Sequence, residues 1–547
     1  MIKADMNANP IETCAVHSLL AQAVSRFPHI SAIDFLGKRT SYAELGKLVD
    51  RAAAGFQRLG VDKGARVALC LPNTPYYVIC YYAILKIGGI VVNLSPLYVE
   101  KEIRHFLADS GARIAVTLDV AELFNKFKPI VADGSLDTLV VGSMLDSLDT
   151  IKKYGFWLTQ RKNLAPVPTK SSYMKFKSLI DNNGVSAPVV CTPDQDIAVL
   201  QYTGGTTGIP KAAMLTHANL TANCTQVRRR LTDISPGGGM LTLVPLFHVF
   251  AMTIALNLSV LLGLEIILLP RYDKKLLRKT LARTKPLFFP GVPTIYANIN
   301  EAVQKEKWEL TSIRYCVSGA APLPEEVRKQ FEKISGCQLV EGYGLSEASP
   351  VVACNHFGQV RDGSIGLPVD GTDVEIRDKD DPTKPVAQGE KGEVCVRGPQ
   401  VMSGYWNRPD ETAKVFVDGW LRTGDVGYRD ADGYIFLVDR IKDLIISGGY
   451  NVYPRMLEEV LYKHPAVLEA VVVGIPDAKR GQVPKAYVKL QENAKVTEQE
   501  LQVFMAEHLS PVERPKKIEF RDSLPKTVVG KLSRKELVAE EASKSRS

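Results

Sequence analysis

Short runs of β-branched and apolar residues alternate with amphipathic stretches from about residue 60 to residue 345. The apolar runs have the length of strands, and they are Ala65–Leu71, Ala112–Leu118, Met240–Pro245, Leu264–Leu269 and Ile313–Ser318. The stretches between them, such as Lys274–Arg283 and Pro324–Ile334, have the spacing of helices. Strands that alternate with helices are typical of βα units, so the sequence predicts an α/β fold with open parallel sheets.

Two longer apolar stretches could be mistaken for membrane spans. Tyr76–Val92 is interrupted by Lys86 and a glycine pair, and Val249–Leu269 carries several polar residues, among them Glu265. Each stretch therefore predicts a buried helix that runs into a buried strand, as parallel sheets require.

The pattern changes after about residue 365. Short runs separated by Gly and Asp turns predict a small β-subdomain, and they are Asp373–Ile376, Gly392–Val396 and Tyr434–Val438. Beyond Lys442 a new unit is predicted, with the order helix, strand, strand, helix, strand: Arg455–Tyr462, Leu468–Val473, Ala486–Leu490, Glu498–His508 and Lys517–Phe520. We therefore predict a large N-terminal domain over residues 1–440 and a smaller, mobile α+β domain over residues 441–547. The polar end, Glu540–Ser547, is expected to fray.

Composition narrows the class of protein. A chain of 547 residues exceeds one typical core, which agrees with two domains. The net charge of +8 suits anionic ligands, but no concentrated basic stripe is present, so we expect no nucleic-acid partner. The nine cysteines include no CxxC pair, which argues against zinc or disulfide frameworks and for a reducing cytoplasm. The first seven residues have no apolar core, so no secretory signal is expected.

The run Tyr202–Lys211 is the strongest chemical signal. It holds three glycines, three threonines and a lysine, directly after the strand-like Ile197–Leu200. Glycines let backbone N–H groups approach an anion, hydroxyls add donors and the lysine adds a positive charge. The run therefore predicts a polyphosphate-binding loop, although it lacks the Walker spacing. Taken alone, it could also be a flexible surface turn.

Three further segments favour the phosphate interpretation: Glu341–Glu347, Gly419–Asp425 with Asp439–Asp443 behind it, and Leu524–Lys531. Together and in this order, the four motifs resemble those of the adenylate-forming superfamily, which includes acyl-CoA synthetases, peptide-synthetase adenylation domains and firefly-type luciferases. The resemblance covers about Thr40 to Leu537. Within the superfamily the chain is most similar to bacterial long-chain fatty-acid–CoA ligases.

The resemblance implies an ATP- and Mg²⁺-dependent ligase that joins a fatty acid to coenzyme A through an acyl adenylate. A carboxylate is a poor electrophile for a thiol, and adenylation supplies AMP as a leaving group. The first step brings two anions together, which repel by about 4 kcal/mol at 4 Å and an effective dielectric of 20. The site must therefore supply cations and hydrogen-bond donors around the reacting oxygens.

The resemblance also implies a role for individual residues. Lys531, His248, Thr206 and Glu347 are implied in catalysis, and Thr206 and Glu347 also as magnesium ligands. The implied nucleotide- and CoA-binding residues are Thr203, Gly204, Gly205, Thr206, Thr207, Gly208, Lys211, Gly319, Ala320, Ala321, Glu341, Gly342, Tyr343, Gly344, Ser346, Asp425, Arg440, Lys442, Ser447, Gly448 and Gly449. Among them Asp425 would accept the ribose hydroxyls, Lys442 would be the hinge, and Ser447–Gly449 would line the pantetheine tunnel.

The chain departs from the family pattern at two positions. Family members usually carry Gly after the loop lysine, where this chain has Ala212, and Thr where it has Ser346. A methyl group is tolerable on extended backbone, and Ser346 keeps the hydroxyl that would contact a phosphate. Several residues also have simpler interpretations: His248 as a packed aromatic, Tyr343 as a core residue and Arg440 as a structural ion pair.

Other functions share many of these motifs. An aryl-acid–CoA ligase of the coumarate type would differ in the shape of its acyl pocket, and a carrier-protein-directed adenylation enzyme is a further alternative. A peptide-synthetase module is disfavoured because no carrier domain follows and no aspartate follows Phe247 for an α-amino group. A non-catalytic scaffold would be expected to lack Lys531 or Glu347. Luciferase-like oxygenation has no support in the sequence.

The stretch Ser143–Ile180 mixes lysines and arginine with aromatic residues. Long-chain ligases of bacteria have a similar basic-aromatic insertion, and this composition suits an anionic lipid interface. A solvated surface loop is the alternative. We therefore predict a cytoplasmic protein with peripheral contact to the inner face of the membrane, and a homodimer.

Overall fold

The computed structural model describes residues 10–203, 210–527 and 530–544. The elements up to residue 228 are α1 (Val16–Arg26), β1 (Ser31–Phe35), β2 (Lys38–Ser41), α2 (Tyr42–Arg58), β3 (Arg66–Leu69), α3 (Pro75–Lys86), β4 (Ile90–Asn93), α4 (Glu100–Ser110), β5 (Ile114–Leu118), α5 (Ala121–Ala132), β6 (Thr138–Gly142), α6 (Thr150–Gln160), β7 (Tyr173–Lys175), α7 (Phe176–Leu179), β8 (Ile197–Thr203), β9 (Lys211–Thr216) and α8 (His217–Arg228).

The next elements complete the large α/β part of the molecule. They are β10 (Gly239–Thr242), α9 (Val249–Ala251), a π-helical segment (Met252–Asn257), α10 (Leu258–Leu262), β11 (Glu265–Leu268), α11 (Lys274–Thr284), β12 (Phe288–Gly291), α12 (Pro293–Val303), β13 (Tyr315–Ser318), α13 (Glu325–Ser335), β14 (Gln338–Gly344), β15 (Val351–Cys354) and β16 (Leu367–Pro368).

These strands form two sheets. A seven-stranded sheet has the order β7-β6-β5-β3-β4-β8-β9, and a nine-stranded sheet has the order β16-β15-β14-β13-β12-β10-β11-β1-β2. Most neighbours are parallel, and antiparallel pairing occurs at the edges, between β8 and β9, β1 and β2, and around β15. The predicted parallel α/β architecture is confirmed.

A layer of helices lies between the two sheets. Helices α1, α2, α3, α8 and α10 contact one another, and their apolar residues share one core with strands of both sheets. Helix α3 is buried on all sides and leads into buried β4, and the helical residues 249–262 lead into buried β11. Both stretches are therefore interior helix–strand pairs, as predicted. No helix in the described part of the chain has the length and apolarity that a bilayer crossing requires.

A small β-subdomain follows, and it is built from β17 (Asp373–Arg377), β18 (Gly392–Arg397), α14 (Pro409–Val415), β19 (Phe416–Val417), β20 (Trp420–Arg429) and β21 (Ile435–Arg440). Strands β20 and β21 pair antiparallel, and Asp425 lies directly opposite Arg440 in their register. Two residues that are fifteen positions apart in sequence are thereby held side by side.

The C-terminal elements are β22 (Ile445–Ser447), β23 (Tyr450–Val452), α15 (Pro454–Tyr462), β24 (Val467–Asp477), β25 (Gly481–Leu490), α16 (Glu498–Ala506), β26 (Lys517–Phe520) and α17 (Arg534–Lys544). They form a second, smaller α+β domain around one five-stranded sheet, as predicted.

The prediction that the chain frays from Glu540 onward is wrong for residues 540–544. These residues continue α17, because Glu540 pairs with Arg521 at 2.5 Å and Glu541 pairs with Lys485 at 2.9 Å. Polar composition alone suggested disorder, but the partners of these carboxylates lie elsewhere in the domain. Residues 545–547 lie outside the described residues.

Candidate functional site

A cavity of about 1680 Å³ opens where the central strands of the nine-stranded sheet end. Strands β12, β13 and β14 are parallel; β12 contributes residues to the cavity wall, and the segments after the carboxyl ends of β13 and β14 border the cavity. Ligands of open α/β sheets bind at this edge. The predicted residues that line the cavity are Thr203, Lys211, His248, Gly319, Ala320, Gly342, Tyr343, Gly344, Ser346, Glu347, Arg440, Lys442 and Lys531. Residues from six separate stretches of the chain therefore meet at one site.

Asp425 lies at the centre of a polar cluster. It is 5% exposed, and it accepts a hydrogen bond of 2.6 Å from the hydroxyl of Tyr343. The Nε atom of Arg440 lies 3.0 Å from its other carboxylate oxygen. The two partners hold the carboxylate in a fixed orientation and compensate its burial. A carboxylate fixed in this way can accept hydrogen bonds from a vicinal diol such as a ribose.

The turn after β13 consists of small residues that line the cavity. A Cβ atom at Gly319 would lie 3.0 Å from the ring of Phe250, and Ala320 adopts a left-handed conformation with φ of 65°. A Cβ atom at Gly344 would lie 1.9 Å from the carbonyl oxygen of Pro350, so this position accepts glycine alone. These small residues therefore allow close packing against Phe250 and Pro350, while Gly319 and Ala320 line the cavity beside Tyr343.

Glu347 and Lys211 are connected through Tyr405. The hydroxyl of Tyr405 donates to Glu347 Oε1 at 2.7 Å, and the ammonium of Lys211 lies 5.2 Å from the centre of the Tyr405 ring. Lys211 also forms an ion pair with Glu411 on α14. The predicted loop residues Gly204, Gly205, Thr206, Thr207 and Gly208 lie outside the described residues.

Glu347 fits a magnesium site with few protein ligands. In the described ranges, no group of three or more His, Cys, Asp and Glu side chains is arranged to hold a metal ion. Magnesium commonly binds through one or two carboxylates together with substrate phosphates, and it keeps several waters. The single carboxylate of Glu347 on the cavity wall fits this mode, with Thr206 as the second predicted ligand outside the described residues.

His248 is a neutral donor in this structure. Burial lowers the pKa of His248 to about 4, and the positive charge of Lys531 contributes. Its Nδ1 atom accepts from the backbone N–H of Phe250 at 3.3 Å, which places the ring proton on Nε2. The backbone that carries His248 is held by Gln201, whose amide donates to the carbonyl of Phe247 at 3.1 Å. His248 can therefore donate a hydrogen bond to a carboxylate.

Lys531 reaches the cavity from the C-terminal domain. Burial lowers the pKa of Lys531 to about 8, and the nearby cations Arg440 and Arg534 contribute, while Asp425 opposes them. The loop that carries it contacts the large domain, because the hydroxyl of Thr294 donates to the carbonyl of Gly530 at 2.9 Å. Its ammonium is thus placed among the groups that surround Asp425.

A second cavity of about 160 Å³ lies between the large domain and α15. Ala321 and Glu341 line it, and Arg455 of α15 lies 3.7 Å from Glu341. Burial raises the pKa of Glu341, and the charge of Arg455 opposes that rise. Ala321 and Glu341 therefore face the domain interface, and Glu341 contacts α15.

Two sets of predicted residues lie at the start of the C-terminal domain. Lys442 belongs to a short 3₁₀ turn directly after β21, and burial lowers its pKa. Ser447 is buried, and Gly448 and Gly449 form the turn between β22 and β23 with positive φ angles of 59° and 84°. These last three residues line neither of the two cavities.

Tyr405 and Glu411 belong to the site but were not predicted from the sequence. The segment 402–406 pairs with β9, and Trp406 donates its backbone N–H to the carbonyl of Ala212 at 2.9 Å. This pairing joins positions almost two hundred residues apart, and neither residue has a local pattern that signals it. An alignment of relatives is the kind of signal that could have identified them.

Comparisons with known proteins agree with this geometry. The family model described as "AMP-binding enzyme" matches residues 20–406, and that described as "AMP-binding enzyme C-terminal domain" matches residues 456–531. A long-chain-fatty-acid–CoA ligase of Bacillus subtilis is 43% identical over 541 residues, which cover 97% of this chain and 95% of the relative. A feruloyl-CoA synthase of Amycolatopsis is 35% identical over 513 residues, covering 93% and 96%.

A solved structure is similar over nearly the whole chain. The anthranilate CoA ligase AuaEII in complex with anthranoyl-AMP superimposes with a TM-score of 0.87 at 25% identity. The match covers 98% of this chain and 99% of that structure.

Proposed function

Since the chain belongs to the AMP-binding enzyme family, we propose that it is an ATP-dependent fatty-acid–CoA ligase that forms acyl-CoA through an acyl adenylate. Long-chain fatty acids are the proposed substrates. The observation that carries the proposal is the meeting of Lys531, His248 and Glu347 around one cavity, with Asp425 paired to Arg440 of the same cavity wall, in a chain 43% identical to a long-chain-fatty-acid–CoA ligase.

The proposed division of labour follows the geometry of the site. Asp425, oriented by Tyr343 and Arg440, accepts the ribose hydroxyls, and the turn at Gly319 accommodates adenine beside the Tyr343 ring. Lys211 and Ser346 contact phosphate groups. Glu347, with Thr206, would hold Mg²⁺, which neutralises phosphate charge when it is bound. The Nε2–H of His248 orients the carboxylate of the fatty acid.

Lys531 stabilises the charge that develops between the carboxylate and the α-phosphate. We place the domain boundary after Arg440 and the hinge at Lys442, where the 3₁₀ turn links β21 to the C-terminal sheet. Rotation about this hinge would withdraw Lys531 and bring Ser447, Gly448 and Gly449 toward the cavity, where they would line the path of the coenzyme A thiol. The present arrangement, with Lys531 in the cavity, is the adenylation pose.

A panel of acids tests the proposed substrate. We expect kcat/KM for pyrophosphate release to rise with chain length from C4 toward C18, by about fourfold for each methylene that the cavity buries, since one buried CH₂ contributes about 0.8 kcal/mol. Without coenzyme A, pyrophosphate should be released in a single burst, because the acyl adenylate stays on the enzyme. With coenzyme A, pyrophosphate release should continue at a steady rate. The measurement is pyrophosphate release with and without coenzyme A.

Cinnamates in the same panel test the aryl-acid alternative. That alternative has a specific observation in its favour, the 35% identity to a feruloyl-CoA synthase. Strong activity on cinnamates with none on hexadecanoate would replace the fatty-acid proposal by the aryl-acid one.

We also propose that α6 brings the enzyme into peripheral contact with the cytoplasmic face of a membrane. No residue of α6 is fully buried, although Phe156 packs partly against the core, and the exposed Ile151, Tyr154 and Leu158 lie on one face at helical spacing. Ile151 is 86% and Trp157 is 42% exposed, and Arg161 lies over the Trp157 ring at 5.1 Å. An exposed apolar face beside basic residues is typical of helices that lie in a lipid interface.

The lysines of this segment contribute less than their number suggests. Lys152 pairs with Asp149 at 2.9 Å and Lys153 pairs with Asp146 at 2.7 Å. The apolar face should therefore carry much of the binding, and the remaining cations give it salt sensitivity.

We expect the double variant Ile151→Ser/Leu158→Ser to bind anionic phospholipid vesicles at least tenfold more weakly in a sedimentation assay, because two exposed apolar side chains of this face lose their lipid contact. Its activity on dispersed octanoate should remain normal, since the nucleotide site is untouched. Val190→Ser, which removes another exposed apolar side chain, is the matched control. Equal vesicle binding by the double variant and the control would contradict the proposal and would indicate that α6 is a solvated surface helix.

A further inference from the structure

Helix α14 forms the wall of the main cavity beside Lys211. Its preceding residue Arg408 and its residues Glu411, Lys414 and Val415 line the cavity together with the nucleotide-site residues. The helix is held there because the segment before it pairs with β9, with Tyr405 opposite Ala213. Glu411 therefore faces the lysine that is proposed to contact the phosphates.

Glu411 lies between two lysines. It forms an ion pair with Lys211 and a second one with Lys414 at 2.5 Å. Hydrogen bonds from Lys211 and Lys414 lower the pKa of Glu411 to about 2, so its carboxylate is charged at neutral pH. On another side the ammonium of Lys211 lies over the Tyr405 ring. The ammonium that a phosphate would need is thus already paired with an anion.

We propose that Glu411 is a positioning residue that competes with pyrophosphate for Lys211 and thereby promotes pyrophosphate release. The inference rests on the proposed ligase function, in which adenylation splits ATP into enzyme-bound acyl-AMP and pyrophosphate. A phosphate that contacts Lys211 must displace Glu411 or lie close to it, and like charges at this range repel. When pyrophosphate leaves, the carboxylate takes its place between Lys211 and Lys414.

A purely structural role explains this pair less well. The side chains of Lys211 and Glu411 are 30% and 29% exposed, and ion pairs of this exposure contribute little to folding. Other contacts already fix α14: the hydroxyl of Thr412 accepts from the backbone N–H of Tyr405 at 2.9 Å, and Arg408 pairs with Asp109 at 2.7 Å. The structure therefore has no need of Glu411 to hold the helix in place.

Calorimetric titration of the full-length enzyme with magnesium pyrophosphate, without fatty acid, tests the proposal. Glu411→Gln should bind pyrophosphate about fivefold more tightly than the wild type, the factor expected for one partly exposed ion pair. Product inhibition by pyrophosphate should strengthen by the same factor. Asp410→Asn makes the same change of charge one residue away on α14, and its dissociation constant should stay within twofold of the wild-type value.

A double-mutant cycle with Lys211→Ala shows whether the effect passes through this lysine. In the Lys211→Ala background, Glu411→Gln should change the affinity for pyrophosphate by less than twofold. Glu411→Ala, which removes the carboxylate without adding an amide, serves as a second variant and should also bind more tightly.

Three results would overturn the proposal: unchanged or weaker binding by both Glu411 variants, equal tightening by Asp410→Asn, or tightening that persists without Lys211. Failure of the fatty-acid proposal would be seen separately, as an absence of acid-dependent pyrophosphate release. The binding titration contains no acid and does not depend on that result.

Discussion

Lys531→Ala should slow acyl-adenylate formation by about 10²–10³-fold, which corresponds to about 3–4 kcal/mol of lost transition-state stabilisation. The ammonium lies in a cavity beside Arg440 and Asp425, where burial strengthens its interaction with a developing negative charge. Conversion of supplied acyl-AMP and coenzyme A to acyl-CoA should be little affected. The two half-reactions are measured as acid-dependent pyrophosphate release and as thioester formation.

The pH dependence of adenylation gives the control for this assignment. The ammonium form carries the charge, and because the pKa of Lys531 is lowered to about 8, activity should fall as the pH rises through 8. The arginine in the Lys531→Arg variant stays charged throughout this range. The fall in adenylation activity with rising pH should therefore begin at a higher pH in this variant, even if its maximal rate is lower. Equal loss in both half-reactions, or an unchanged pH profile for the arginine variant, would contradict the role given to Lys531.

Asp425→Ala should lower kcat/KM for ATP by about 100-fold or more, because hydrogen bonds that involve a charged group each contribute about 1.5–3 kcal/mol and this carboxylate can make two of them to a ribose. The variant also leaves Arg440 and the hydroxyl of Tyr343 without their partner. The loss should appear in direct nucleotide binding as well as in turnover.

The variant Tyr343→Phe tests the orientation of the Asp425 carboxylate separately from the contact between the Tyr343 ring and adenine. It keeps the ring beside adenine and removes the 2.6 Å hydrogen bond to Asp425, so we expect a loss of at most about tenfold. Asp373→Ala removes an exposed carboxylate from the same β-subdomain, where it pairs with Arg397, and should leave nucleotide binding unchanged. A larger loss for Tyr343→Phe than for Asp425→Ala would show that the ribose is bound elsewhere.

The regular parts of the fold could be predicted from the sequence. The predicted strand Ala112–Leu118 is observed as β5 over Ile114–Leu118, and Lys517–Phe520 is observed with identical bounds. Ser41 caps α2 and Thr497 caps α16, each with a glutamate three residues later that completes the capping box. Such features depend on a few neighbouring residues, and local patterns therefore reveal them.

Features that depend on distant contacts could not be predicted in this way. The composition at the end of the chain predicts a polar tail, but ion pairs with Arg521 and Lys485 hold α17 against the domain. Both of these residues lie outside α17. Similarly, α6 carries exposed apolar residues at helical spacing, although its composition alone gave no clear stripe.

In the candidate site, too, some residues could be predicted from local motifs and others depend on contacts between distant segments. Its motif residues could be identified because four segments resemble a family pattern, and the cavity brings residues of all four segments together. Tyr405 and Glu411 reach Lys211 through the pairing of segment 402–406 with β9. Nothing in the residues next to either position indicates that contact.

The antiparallel register of β20 and β21 has a consequence for the fate of the intermediate. Asp425 and Arg440 are cross-strand partners, and the proposed hinge at Lys442 comes two residues after Arg440. A rotation that begins at Lys442 leaves both partners in the large domain. The acyl adenylate would therefore stay bound through its ribose while the group facing it is exchanged, from an ammonium to a thiol, and the reactive mixed anhydride would not be released between the two half-reactions.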